Sequence, residues 1–195
     1  MSAPQRRLPA AQRRETLLDA ASIIVGEVGG RQALLADVAA RAGVTKAVVY
    51  RHFASKEQLL ATLIEHHGRR ALERVAELTP TDSLEDDLRA GIRVVVDYAA
   101  EEPAAWRILF VEQYEEPAPR AAQRAVKDGA RTLVAARLRR ERRVSDDDAD
   151  LLALLLRSAF DGAIAWWHEH ADVPVEELVD TTHALLWGGL ERVTR

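Results

Sequence analysis

The sequence predicts an all-α protein of about nine helices, with an N-terminal three-helix head that carries a helix-turn-helix and a larger C-terminal helical body. Three observations carry this. Apolar residues recur at helical spacing along nearly the whole chain, without sustained period-2 alternation and without an Asn-Gly or Asp-Gly hairpin turn. Prolines stand at the edges of the periodic segments. Ser-x-x-Gln or Ser-x-x-Asp capping patterns occur at Ser55, Ser83 and Ser145, where long periodic segments begin.

Residues 1–10 read as a flexible arm, 11–54 as the head and 55–195 as the body. The first helix is expected over 11–28, with Leu17, Leu18, Ala21, Ile24, Val25 and Val28 on one face and Gly29-Gly30 as its stop. A short helix follows over 35–42, ended by Gly43, where a left-handed residue is wanted. Thr45 is placed to cap the third helix, which reaches Phe53. Ser55 with Gln58 opens a long helix through Leu59, Leu63, Ile64 and Leu72 to Leu78, closed by Thr79-Pro80. Ser83 with Asp86 starts the fifth helix, which stops at Glu101-Glu102-Pro103. A regular helix is expected over 104–112, a linker around Pro117 and Pro119, and an Arg-rich helix over 120–142. Ser145 with Asp148 launches a helix over 149–170, and the last helix runs from Pro174 to about Arg192.

Composition excludes several classes. The absence of cysteine removes disulfides, thiolate metal sites and a cysteine nucleophile. The chain opens with no apolar segment behind its arginines, and no apolar run approaches the ~20 residues of a membrane span, so a cytoplasmic protein without membrane partners is expected. The net charge of −4 hides an asymmetry. Residues 1–60 carry 9 Lys+Arg against 5 Asp+Glu, and residues 61–195 carry 18 against 26. A basic N-terminal part on an acidic body points to a polyanion as the partner of the head.

The informative stretch is DVAARAGVTKAVVYRHFASKEQLL, residues 37–60. Ala39 is small where two short helices cross, Gly43 makes the turn, and Val44 and Val49 fill the space behind them. This arrangement leaves the outer face of residues 45–52 free to enter a DNA major groove. The segments Ala42-Gly43-Val44-Thr45, Tyr50-Arg51-His52-Phe53 and Ser55-Lys56-Glu57-Gln58-Leu59-Leu60 together resemble the DNA-binding signature of the tetracycline-repressor (TetR) family of regulators. The specific resemblance covers roughly residues 12–65.

The resemblance implies roles for individual residues. Thr45 offers its hydroxyl and amide to a phosphate, and Lys46 reaches a phosphate or a base. Ala47 lets the helix approach the bases, and Val48 and Arg51 take base-reading positions, with Arg51 able to hold guanine in a bidentate way. Tyr50, His52 and Lys56 match the family's phosphate contacts. Ala33 and Leu34 stand where the family usually has a capping Thr or Ser, so neither that cap nor its phosphate contact carries over. Arg6 and Arg7 from the arm, with Arg13 and Arg14, are further candidate DNA contacts.

The resemblance also implies a C-terminal ligand-binding and dimerisation domain. The aromatics Tyr98, Trp106, Phe110, Phe160 and Trp166 are candidate walls of an apolar cavity, and His67, Arg70, Arg93 and Arg107 candidate polar anchors. The helices after Ser145 and Pro174 are apolar around most of their circumference, which fits burial in a subunit interface. Leu152, Leu155, Ala159, Leu186, Trp187 and Leu190 are its candidate residues, with Gly188-Gly189 allowing close helix approach. The expected function is a homodimeric repressor that leaves its operator when a small, largely apolar effector binds and shifts the helix beginning at Ser55. A helical carrier or enzyme using the same aromatic cavity is the alternative. No metal site is expected, because His66-His67 and His168/His170 diverge on their helices. No catalytic residues or cofactor are expected either, because neither a Gly-x-Ser-x-Gly elbow nor a Gly-rich phosphate loop occurs.

Overall fold

The computed structural model describes residues 9–141, 144–170 and 172–194. Among these residues the protein has nine α-helices and no strand. The expected arm contacts Arg6 and Arg7, and the expected helix end at Arg142, lie outside the described residues.

The head consists of α1 (Ala10–Val28), α2 (Leu35–Arg41) and α3 (Lys46–His52). In α1, Leu17, Leu18, Ala21 and Val25 are buried along one face, while Val28 at the helix end is exposed. Gly29 ends the helix at φ +83°, and its amide donates to the Val25 carbonyl at 2.9 Å. Leu34 stands at the N-cap of α2 and makes no side-chain cap. Gly43 takes φ +63° between α2 and α3, a conformation that costs a residue with a side chain roughly 1–2 kcal/mol. Thr45 stands at the N-cap of α3, but its hydroxyl makes no cap hydrogen bond.

α4 (Lys56–Ala76) leaves the head and runs about 30 Å into the body. The Ser55 hydroxyl accepts from the Gln58 amide at 3.2 Å, and the Gln58 side chain accepts from the Ala54 amide at 2.6 Å. α5 (Leu84–Glu101) and α8 (Asp146–Glu169) begin in the same way, with Ser83 accepting from Asp86 N and Ser145 from Asp148 N, each at 3.1 Å. α9 (Val175–Thr194) closes the chain.

Two segments depart from the sequence expectation. The segment expected as a regular helix is α6 (Pro103–Trp106) continued by a π-helical turn, Arg107–Val111, in which the Glu112 amide donates to the Arg107 carbonyl at 2.9 Å. The wide turn is held from outside: Tyr114 donates to the Ile108 carbonyl at 3.1 Å, and Gln123 to the Leu109 carbonyl at 2.8 Å. The expected linker at Pro117 and Pro119 is instead the first turn of α7 (Pro117–Leu138). The first helical residues have no intrahelical acceptor for their amides, so prolines cost nothing there, and Pro119 is buried.

The apolar core of the head does not end at α3. Leu17, Leu18, Val25, Val49 and Phe53 belong to one buried cluster with Leu60, Leu63 and Ile64 of α4, Ile108 and Leu109 of the π-helical turn, and Ala122 and Val126 of α7. Two further clusters fill the body, one among α5, α6, α8 and α9 and one among α5, α7, α8 and α9. α4 and α7 lie against each other through glycines. A β-carbon on Gly68 would sit 2.2 Å from Val126 Cγ2, and one on Gly129 would sit 3.0 Å from Leu72 Cδ1.

Gly68→Ala is therefore expected to cost about 2 kcal/mol by overpacking, read as a thermal midpoint lowered by roughly 4–8 °C. The same change at Gly91, whose added β-carbon would meet nothing within 4 Å, is expected to leave the midpoint unchanged or raise it slightly through helix propensity.

Candidate nucleic-acid interface and ligand cavity

α3 is anchored by one side chain and offers the rest. Val49 is fully buried, while Thr45, Lys46, Ala47, Tyr50 and Arg51 are exposed and Val48 and His52 half-buried. Tyr50 is 55% exposed, unusual for a tyrosine with no core role. Partial burial and the nearby cations Arg51, Arg14 and Arg13 hold the His52 imidazole below its ordinary pKa.

Two candidate contacts have structural employment. Arg14 donates to the His52 carbonyl at 3.2 Å and to Thr62 Oγ1 at 3.3 Å, with its guanidinium 4.6 Å from the centre of the Phe53 ring. It pins α1 to the ends of α3 and α4 rather than extending outward. Lys56 Nζ donates to the Arg31 carbonyl at 2.6 Å, tying the start of α4 to the turn between α1 and α2.

The body holds a cavity of about 600 Å³ between α4, α5, α7, α8 and α9. Leu72 and Val75 of α4, Leu133 and Val134 of α7, Leu156 and Phe160 of α8, and Leu186 and Leu190 of α9 contribute apolar walls, and Trp106 and Phe110 line another side. Trp106 and Phe110 stack with ring centres 4.0 Å apart. On α5 the cavity face reads Leu84, Leu88, Gly91, Val95, a helical stripe with its one gap at Gly91. Two aspartate-paired arginines border the apolar space, Arg137 with Asp87 and Arg157 with Asp161. For Asp87, burial opposes ionisation but the bonds from Arg137 and Thr81 outweigh it and hold the carboxyl below its usual range. For Asp161, burial dominates and pushes the carboxyl up despite Arg157.

Of the sequence-derived ligand candidates, Trp106, Phe110 and Phe160 come together at the cavity. The others do not line it. Arg70 pairs with Glu102 at 3.4 Å, and Arg93 pairs with Glu176 and, at 3.7 Å, Asp97. Trp166 is 49% exposed and stacks on His170 outside the body, because it lies on the face of α8 opposite Ile164 and Trp167. His67 and Tyr98 are buried between helices instead. The sequence reading missed Gly91, whose signal is the break in the α5 stripe. It also missed Arg137, which nothing in the sequence distinguishes from the other arginines of α7, and Arg157, the single arginine of α8.

The interface candidates divide as well. Leu155 and Ala159 are exposed on α8, but Leu190 is buried within its own chain, and Leu152, Leu186 and Trp187 are half-buried and pack inward. The apolar residues that face outward include Leu151, Leu154, Leu155, Ala159, Gly162 and Trp166 of α8 and Leu185, Gly188, Gly189 and Val193 of α9. Each set follows helical spacing and forms one continuous apolar stripe. Among the described residues no helix is long and apolar enough to cross a membrane.

A head with an exposed recognition-helix face, joined by one long helix to a bundle with an internal cavity, defines a helix-turn-helix transcriptional regulator. Residues 17–63 match the profile described as bacterial regulatory proteins, tetR family, and residues 83–188 match that of the tetracyclin repressor-like C-terminal domain. The chain belongs to the TetR family. It is 28% identical over 190 residues to the HTH-type transcriptional activator FasR of Mycolicibacterium smegmatis, covering 96% of this chain and 87% of FasR. Its fold matches the crystal structure of a TetR-like transcriptional regulator from Rhodococcus sp. RHA1 with a TM-score of 0.78 at 26% identity, covering 95% and 99% of the two chains. The regulator FadR from Bacillus subtilis, solved in complex with stearoyl-CoA, matches with a TM-score of 0.78 at 18% identity over 88% of this chain and 96% of FadR.

His67 joins the head to the body. Its Nε2 shares a hydrogen bond of 2.9 Å with Ser22 Oγ of α1, and the Tyr98 hydroxyl of α5 lies 3.4 Å from its Nδ1. Burial, then His66 and Arg70, lower its pKa from 6.5 to about 4. The unfolded chain therefore takes up a proton on this ring at a higher pH than the folded one. The neutral ring favours the fold in full above pH 6.5, and that contribution shrinks as pH falls toward 4. The parent is expected to lose about 2 kcal/mol more than His67→Gln between pH 7.5 and pH 5, measured by denaturant unfolding at each pH.

Proposed function

We propose that the protein is a homodimeric regulator that binds operator DNA through α3 and changes its operator affinity when a small, largely apolar effector fills the body cavity. The observation that carries the DNA half is the free, positively charged face of α3: Lys46, Ala47, Tyr50 and Arg51 are exposed while Val49 alone anchors the helix. Arg51 and Ala47 are assigned to the bases, and Thr45, Lys46, Tyr50 and His52 to phosphates, with the uncapped Thr45 hydroxyl left to accept or donate. Lys56 acts chiefly through its bond to Arg31, which fixes the head.

The reading includes a dimer because a single short recognition helix needs a second one about 34–36 Å away to reach successive major grooves. The apolar stripe of α8 and α9 is assigned to that interface, with Gly188 and Gly189 permitting close packing. The cavity supports the effector half. Its volume of about 600 Å³ lies within the ~300–1,000 Å³ of small-ligand sites. Stearoyl-CoA, the molecule held by FadR of B. subtilis, is the first probe to use. Effector binding is proposed to lower operator affinity, with α4 carrying the displacement from the cavity to the head.

The test is binding to fragments of DNA flanking the protein's own gene, at two salt concentrations, with and without stearoyl-CoA. One fragment is expected to bind at about 10⁻⁸ M or tighter, and Tyr50→Ala combined with Lys46→Ala is expected to weaken it by at least tenfold and flatten its salt dependence. Arg51→Ala is expected to reduce the preference for that fragment over random DNA, a loss of about 1–3 kcal/mol in discrimination. Uniform weak binding to all fragments that vanishes with salt overturns the reading.

A further inference from the structure

We infer that Arg107 and Glu112 form a second mechanical link between the cavity and the head, acting through the π-helical turn rather than along the length of α4. The inference rests on the reading of the cavity as the effector site. The π-helical turn has two sides. Trp106 and Phe110, stacked on each other, face the cavity. Arg107 and Glu112, the residues whose backbone groups close the wide turn, reach the other way. Arg107 Nη1 donates to the Gly26 carbonyl at 3.1 Å, one of the α1 carbonyls left without a helical partner. Arg107 Nε donates to Glu112 Oε1 at 3.1 Å, and Glu112 Oε2 accepts from the Gly30 amide at 3.2 Å. The pair therefore grips both the end of α1 and the turn that leads into α2.

The fit at this joint is tight. A β-carbon on Gly26 would lie 2.6 Å from Ala104 Cβ, and one on Gly30 would lie 2.9 Å from Tyr114 Cε1. With no slack between the surfaces, a displacement of the α6 backbone is passed to α1 rather than absorbed. The next residue of the gripped turn, Arg31, accepts from Lys56 at the start of α4, so the same motion reaches both helices that carry α3. A π-helical turn is suited to this task. Its carbonyls are held by Tyr114 and Gln123, side chains that can exchange partners, whereas a regular helical turn would move as a rigid unit. Glu112 is only 15% exposed in its side chain, so its bonds to Arg107 and Gly30 are shielded from water in a way that the fully exposed Arg31–Glu115 pair nearby is not.

The experiment uses the full chain and an effector surrogate that requires no knowledge of the natural ligand. Gly91→Phe places a ring where the α5 stripe leaves the cavity open. Stearoyl-CoA serves as a second, independent probe. Both are combined with Arg107→Ala and with Glu112→Gln, neither of which lines the cavity. Backbone hydrogen exchange over residues 26–31 is read without DNA, and operator affinity is read separately. Cavity filling is expected to change exchange over residues 26–31 and to shift operator affinity by about fivefold or more. In the Arg107 and Glu112 variants the exchange response is expected to disappear and the affinity shift to fall below about twofold, with stearoyl-CoA affinity within about twofold of the parent. Variants that weaken operator binding equally with the cavity empty and filled mark a purely structural role and overturn the inference. A parent that accepts Gly91→Phe or stearoyl-CoA with no change over residues 26–31 overturns it too. A parent that shows the exchange response but binds no DNA keeps the link and removes the regulatory reading instead.

Discussion

The placement of the recognition helix depends on apolar contact between the head and the body. A domain as small as this three-helix head buries a small fraction of its surface and is marginal on its own. The head solves this by sharing its core: Leu17 and Val25 of α1 and Phe53 after α3 belong to the same buried cluster as Leu63 and Ile64 of α4 and Ile108 and Leu109 of the π-helical turn. The position of α3 is therefore set by packing against the body and not by a tether. The polar ties at this joint follow from the same constraint. His67 on Ser22 and, in part, Arg14 on the His52 carbonyl satisfy groups that the shared core removes from water, while Lys56 on the Arg31 carbonyl ties the same joint at the surface.

Charge is distributed to match. Partial burial, together with the cations Arg51, Arg14 and Arg13, disfavours protonation of His52, whereas the body carries paired charges such as Arg89 with Asp180 and Arg139 with Asp146 and Asp150. Several arginines of the first sixty residues serve the fold rather than an external partner, as Arg14 and the Arg41–Glu27 pair show. The basic excess of the N-terminal part is thus partly internal, and the portion on α3 is the part available to a polyanion.

What was legible in the sequence was what local chemistry decides. Gly43 and Gly29 occupy left-handed or extended positive-φ positions that their neighbours' spacing already required, and Ser55, Ser83 and Ser145 cap the helices their patterns announced. The alternation of Val49 inward with Tyr50 and Arg51 outward followed from a helical face. What was not legible depends on contacts distant in the chain. The π-helical turn needs Tyr114 and Gln123 to receive its carbonyls, and neither announces that partner in sequence. Trp166 and Trp167 are adjacent, and only the packing of α5 and α9 decides which is the core residue. Pro119 reads as a break until α7 is seen to begin before it. Leu190, set in an apolar run, is claimed by its own chain's cavity wall rather than by the outer stripe.

The cavity owes part of its size to one missing side chain. Gly91 interrupts a stripe of leucine and valine on α5, and the space opposite it is bounded by apolar walls from other helices. Gly91 lies in the body, away from the exposed face of α3, so under the proposed function the identity of the effector and the identity of the operator are written on separate parts of the molecule. A lineage can therefore exchange one signal for another through small substitutions at a single helical position while keeping every gene already under its control. Sensor design can exploit the same separation, grading the side chain at residue 91 from methyl to ring to sort ligands by length without rewriting the promoter they report on.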